Sequence, residues 1–170
     1  GIVGGLAGFG GTIKGSYATG DVISSSRMSD WDGVGGLAGT FFAYGGGTIT
    51  GSYATGNVTG LPNVGGLVGR SGSPFQLPEV RGPMAIIDCY ATGNVVAEGV
   101  AGGLVGTNHD EDIEVAISNC YATGSVTGGE IEPISLGGLC GSNSGTITNS
   151  YWDTDTSGEP NMCGNPDDPN

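Results

Sequence analysis

The string NVGGLVG at Asn63–Gly69, followed by IIDCYATGNV at Ile86–Val95, holds the two halves of a unit that recurs along the whole chain. The first half, GGLxG, occupies Gly4–Gly8, Gly35–Gly39, Gly65–Gly69, Gly102–Gly106 and Gly137–Gly141. The second half reads Ile-x-x-(Ser/Cys)-Tyr-Ala-Thr-Gly-x-Val and occupies Ile13–Val22, Ile49–Val58, Ile86–Val95 and Ile117–Val126. A degenerate fifth copy keeps Ile147, Ser150 and Tyr151 and then departs at Trp152. Successive GGLxG copies start 31, 30, 37 and 35 residues apart, a period that marks a repeat architecture.

Each half is a short β-prone segment bounded by Gly or Asn, too short to stand as a hairpin and too regularly spaced for an ordinary sandwich. Stacking equivalent segments gives every strand a partner above and below. The expected fold is therefore all-β, a parallel β-solenoid of about five coils spanning residues 1–158, with coils about 4.8 Å apart. Residues 159–170 form an acidic, proline-containing tail expected to pack as a cap on the last coil. Ladders of Leu6, Leu37, Leu67, Leu104 and Leu139, of Ile13, Ile49, Ile86, Ile117 and Ile147, and of Tyr17, Tyr53, Tyr90, Tyr121 and Tyr151 are expected to supply the core and the aromatic stacking. Strict alternation would put Ile13, Tyr17 and Thr19 on one face and Ser16, Ala18 and Val22 on the other. Both sets are partly apolar, so which ladders face inward stays open.

Composition narrows the function classes. Glycine supplies 37 of 170 residues, several-fold above the roughly 7% of average usage and without a collagen period. A net charge of −13, with only Lys14, Arg27, Arg70 and Arg81 as cations, repels phosphate backbones and anionic lipid, so no nucleic-acid partner is expected. No apolar run of eighteen residues exists to insert into a membrane. The chain opens at Gly1 inside a repeat unit and has no charged start followed by an apolar stretch, as expected of a mature or excised piece of something longer. Length variation falls in Ile23–Gly33, Arg70–Ala85 and Thr107–Glu114, where a solenoid tolerates insertions that carry individual function.

The repeated GGLVG and SYATGNV strings, closed by SYWDTDTSG, resemble the GLUG-motif repeats of bacterial surface and secreted proteins, over almost the whole chain. The resemblance implies an extracellular or cell-surface location in a large exported, adhesin-like protein, or in the non-catalytic part of some immunoglobulin A peptidases. It implies no chemistry for the repeats themselves, so the expected role is structural or adhesive and non-catalytic. The alternatives are a glycan-binding module or an accessory part of a carbohydrate-active or peptidase enzyme. The partner is then a protein or glycan ligand on a surface, with homotypic end-to-end association through the open coil edges.

Individual residues are weighed on their chemistry. Cys89 and Cys120 replace Ser at one repeat position in neighbouring coils, within disulfide reach. Cys140 and Cys163 would bridge the last GGLxG to the tail. Asp153, Asp155 and Ser157 before Gly158 copy the first half of a calcium loop, although the twelfth position is Gly164 where a bidentate Glu belongs. A solvated acidic turn is the plainer reading. Asp110, Glu111, Asp112 and Glu114 beside His109 form the densest acidic loop and a weaker calcium candidate. Trp31, Phe41, Phe42, Tyr44 and Phe75 lie in or near loops as stacking platforms for a sugar ring. No HExxH or nucleophile elbow is present, and no cofactor other than calcium is implied. The threonines at 19, 55, 92 and 123 form a row beside their glycines, read as turn chemistry.

Overall fold

A computed structural model describes residues 1–25, 29, 32–43, 45–72, 82–109, 115–129 and 135–165. Each coil is drawn from five short strands, where the sequence had suggested two β-prone segments. In the third coil these are Asn63–Gly65, Val68–Ser71, Met84–Ile87, Tyr90–Ala91 and Val95–Ala97. Equivalent strands stack in parallel into four five-stranded sheets and one four-stranded sheet. The chain is therefore an all-β parallel solenoid. The expected five coils slightly overstate it: three coils are flanked on both sides, and the last has no fifth strand, giving way to a helical turn at Thr154–Ser157.

Register follows the repeat residue for residue. Ile49 pairs with Ile13 and Ile86, and Ile117 with Ile86 and Ile147. Leu37, Leu67, Leu104 and Leu139 are fully buried and share one apolar column with those isoleucines. Val22, Val58, Val95 and Val126 form a second, thinner column with Val34, Val64 and Ala101. Each such side chain contributes about 1.5–3 kcal/mol on leaving water, and stacking multiplies the gain along the axis. The wall between the columns is why GGLxG needs its glycines. A Cβ on Gly65 would run into the carbonyl of Val68, and one on Gly66 into the carbonyl of Gly103 in the next coil.

Of the three ladders, Leu and Ile face inward and the tyrosines lie outside the core, where they supply the aromatic stacking. Between Ile and Tyr the chain passes a left-handed residue: Gly15, Gly51, Asp88, Asn119 and Asn149 all have φ between 48° and 57°. Asp and Asn tolerate this region better than other side chains. That corner breaks the alternation, so Ile turns in and Tyr turns out. The rings of Tyr17, Tyr53, Tyr90 and Tyr121 then stack at 5.2, 4.8 and 4.9 Å, within 8° of parallel.

The two ends differ. Among the described residues no strand pairs with the lower edge of the first coil, and Leu6 is 52% exposed there. Over the last coil lies Asn161–Gly164. Gly138 donates to the Asn161 carbonyl, Leu139 and Cys140 both donate to that of Met162, and Cys163 pairs with Cys140 in parallel register. Trp152, standing where other coils have Ala, lies against Gly138 and donates to the Glu159 carbonyl at 3.0 Å.

Candidate functional site

The repeat position before Tyr holds Ser16, Ser52, Cys89, Cys120 and Ser150, and the structure gives it one job throughout. Ser16 N–H donates to Ser52 Oγ one coil up, and Cys120 N–H donates to Ser150 Oγ. Each side chain bonds back to the carbonyl two residues earlier: Ser52 to Thr50, Cys89 to Ile87, Cys120 to Ser118 and Ser150 to Thr148. The cysteines thus act as serine surrogates that close a turn. Cys120 is pushed up from an ordinary thiol first by its hydrogen bond with Cys89 and then by burial, and the same bond lowers Cys89.

All four cysteines are buried free thiols, so neither expected bridge is present. They do come together in the anticipated pairs: Cys89 and Cys120 bond through their sulfurs, and Cys140 faces Cys163 on the next rung. The sulfurs of Cys89, Cys120 and Cys140 lie on carbonyl acceptors, as with Cys140 Sγ on the Ser142 carbonyl at 3.2 Å.

The Asp153, Asp155, Ser157 string forms a capped helical turn. Asp153 is the N-cap: its Oδ1 accepts from the N–H groups of Asp155 and Thr156, the standard way of satisfying free helix donors. Gly158 closes the turn at φ 75°, and Ser157 Oγ accepts from Glu159 N–H. These backbone contacts give the Asp153 carboxylate and the Ser157 hydroxyl a structural role in the turn.

Of the aromatic platforms, Phe41 and Phe42 are buried in the main core, and Phe42 packs edge-on against Phe9 at 6.0 Å. They cannot display a face to a sugar. Sequence proximity to a loop misled here, because both residues still follow the second strand of the coil inward. Trp31, Tyr44, Phe75 and Asp110, Glu111, Asp112 and Glu114 lie outside the described residues. The stacked tyrosines spend their ring faces on one another, so the interior ones offer only an edge and a hydroxyl.

Three arrangements escaped the sequence reading. A buried polar row runs Ser71, Asn108, Asn143, with Ser71 Oγ donating to Asn108 and Asn108 Nδ2 donating to Asn143 at 2.8 Å. An outer row runs Asp21, Asn57, Asn94, each side-chain oxygen accepting the backbone N–H one coil up, at Asn57, Asn94 and Ser125. Near the first row, Ser144 Oγ lies 2.8 Å from His109 Nδ1. Their separation of 35 residues hides such a pair until the coil period is applied. A groove of about 360 Å³ crosses the fifth sheet over Ile23, Thr59 and Val96, walled by Leu61 and Glu98.

Two of the insertions share a corner. In the third coil the described chain leaves at Gly72 and returns at Gly82; in the fourth it leaves at His109 and returns at Val115. Gly72 N–H donates to the Phe41 carbonyl and His109 N–H to that of Ser71, so the two departures are stacked directly.

Residues 97–127 match the family model described as the GLUG motif. The chain carries a GLUG motif. The matched residues cover one turn of the solenoid, and the strand register links that GLUG turn to its equivalents on both sides. No curated protein and no solved structure matches the chain.

Proposed function

We propose that the chain, a repeat solenoid in architecture, serves as a non-catalytic segment of an extracellular or cell-surface protein, a rigid spacer whose inserted loops make adhesive contacts. The observation that carries this is the corner shared by the insertions after Gly72 and His109. A uniform coil interrupted only at its corners, with two insertions stacked on one of them, separates a constant scaffold from a displayed surface. A net charge of −13 keeps such a surface soluble. Protein or glycan on an opposing surface is the partner class.

The test replaces residues 73–81 and 110–114 with short Gly-Ser linkers and measures retention on immobilised glycans and matrix proteins. Retention lost with both linkers and kept by Tyr53→Ala supports loop display. Unchanged retention with both loops replaced rejects it.

A second reading, a glycan-binding module, draws on the groove over Ile23, Thr59 and Val96. Its signature is glycan retention abolished by Val96→Arg and indifferent to the loop replacements.

A further inference from the structure

Four successive coil-to-coil interfaces are built the same way. The lowest pairs Ala7 with Ala38 and Ile13 with Ile49, and the highest pairs Val105 with Cys140 and Ile117 with Ile147. Among the described residues, the base of the first coil and the top of the last are therefore two halves of an interface that four of the five sheets already make four times.

The top half is filled by a partial imitation of a coil. Within the stack, Gly103 N–H donates to the Gly137 carbonyl, and Leu104 and Val105 both donate to that of Leu139. On the last coil Gly138 donates to the Asn161 carbonyl, and Leu139 and Cys140 both donate to that of Met162. Cys163 takes the rung above Cys140, as Cys140 itself takes the rung above Val105. Gly164 follows as the closing glycine: a Cβ there would strike the backbone of Leu136 and Gly141, just as one on Gly141 would strike Ala101 and Gly106. Asn161-Met162-Cys163-Gly164 is thus a GGLxG turn shortened by one residue, and among the described residues no strand follows it. Asn165 locks it, donating from Nδ2 to the Asn143 carbonyl while its Oδ1 accepts from Asn143 N–H.

We propose that residues 161–164 are an intramolecular decoy for a docking coil, and that the surface beneath them fits the base of a second copy of this chain, around Leu6. While the decoy is seated, head-to-tail association is blocked. When it is expelled, the Gly4–Gly8 turn of another copy takes its place, and the match extends over the four sheets that have a strand in the last coil rather than over one turn. Leu6, 52% exposed at the base, would then be covered as Leu37, Leu67 and Leu104 already are. The inference depends on the coil geometry and not on the loop-display reading.

The test expels the decoy in the full chain with Trp152→Ala, which restores the repeat's own residue, together with Gly164→Val. Sedimentation velocity is followed over a hundredfold range of concentration. The native chain stays monomeric, the double variant gives species beyond a dimer that grow with concentration, and adding Leu6→Asp returns it to monomer. A monomeric double variant whose Leu139 and Cys140 amides exchange rapidly overturns the proposal. So does association that Leu6→Asp leaves intact, or a native chain that already forms the same species. A chain ending at Gly158, with no decoy to expel, repeats the measurement; a monomer there with β-sheet circular dichroism also overturns it.

Discussion

The first and last coils have the same ladder positions and opposite fates. Leu6 at the base is 52% exposed, whereas Leu139 at the top is fully buried. Ile13 and Ile147, one sheet further on, are nearly equal at 8% and 7%. The difference arises where Asn161–Gly164 lies, because that segment covers the GGLxG side of the last coil only. A terminal coil is thus stabilised by what sits on it rather than by its own sequence, as repeat architectures require.

The largest expected effect contrasts an enclosed leucine with the open one. Leu104→Ala leaves a cavity between Leu67 and Leu139 and is expected to cost about 2–5 kcal/mol. Leu6→Ala removes a half-solvated side chain and should cost less than about 1 kcal/mol. Urea unfolding midpoints of the two variants measure the gap, and equal losses would show that the base is covered in solution.

A glycine pair comes next. Gly93 and Gly20 hold the same repeat position, but a Cβ on Gly93 would collide with the carbonyl of Gly56 one coil below, whereas a Cβ on Gly20 meets nothing within 4 Å. Gly93→Ala is expected to cost about 1–3 kcal/mol through forced overpacking. Gly20→Ala should shift stability by less than about 1 kcal/mol. Thermal unfolding of both would break the comparison if Gly20→Ala were the worse.

Which of these features can be read from the chain depends on how local their cause is. The parallel solenoid, the Leu and Ile ladders and the juxtaposition of Cys89 with Cys120 all follow from periodicity, because register in a stack is the repeat itself. The outward tyrosines do not follow, since a single left-handed corner at Gly51, Asp88 or Asn119 inverts the alternation after it. Nor does burial of Phe41 and Phe42, which depends on where the insertion corner falls. Repeat position brings Cys89 and Cys120 within bridging reach but does not show what their sulfurs bond; the turn-closing bonds to Ile87 and Ser118 show why Ser and Cys interchange there. Most instructive is Met162. Nothing in the string NMCG advertises a leucine-like turn until its carbonyl is seen receiving the Leu139 and Cys140 amides.

A smaller effect separates helix capping from ion binding at the covered end. Asp153→Ala removes the acceptor for Asp155 and Thr156 and is expected to cost about 1 kcal/mol. Because the carboxylate already serves those donors, the loss should be the same with and without millimolar calcium in the melt. Calcium raising the melting temperature of the native chain, and not of Asp153→Ala, would instead assign the string to an ion.

The smallest effect is electrostatic and belongs to the same end. Burial raises the Glu159 carboxyl above the usual carboxylate range, and its backbone carbonyl anchors the Trp152 indole. A folded value above the unfolded one means the folded state holds the proton more tightly. The contribution of this group is therefore fully present below the ordinary carboxylate range and lost as pH rises through the raised folded value. At neutral pH the charged carboxylate slightly weakens the cap, and Glu159→Gln should strengthen it. The ratio of Leu139 and Cys140 amide exchange rates, native over variant, is the readout, because the other acidic groups titrate in both proteins and cancel. That ratio should exceed one at pH 7 and fall to one below the ordinary carboxylate range. A ratio independent of pH would mean that Glu159 is solvated as fully as any surface carboxylate, and that the covered end is held by its backbone bonds, the Trp152 ring and the Asn165 amide without it.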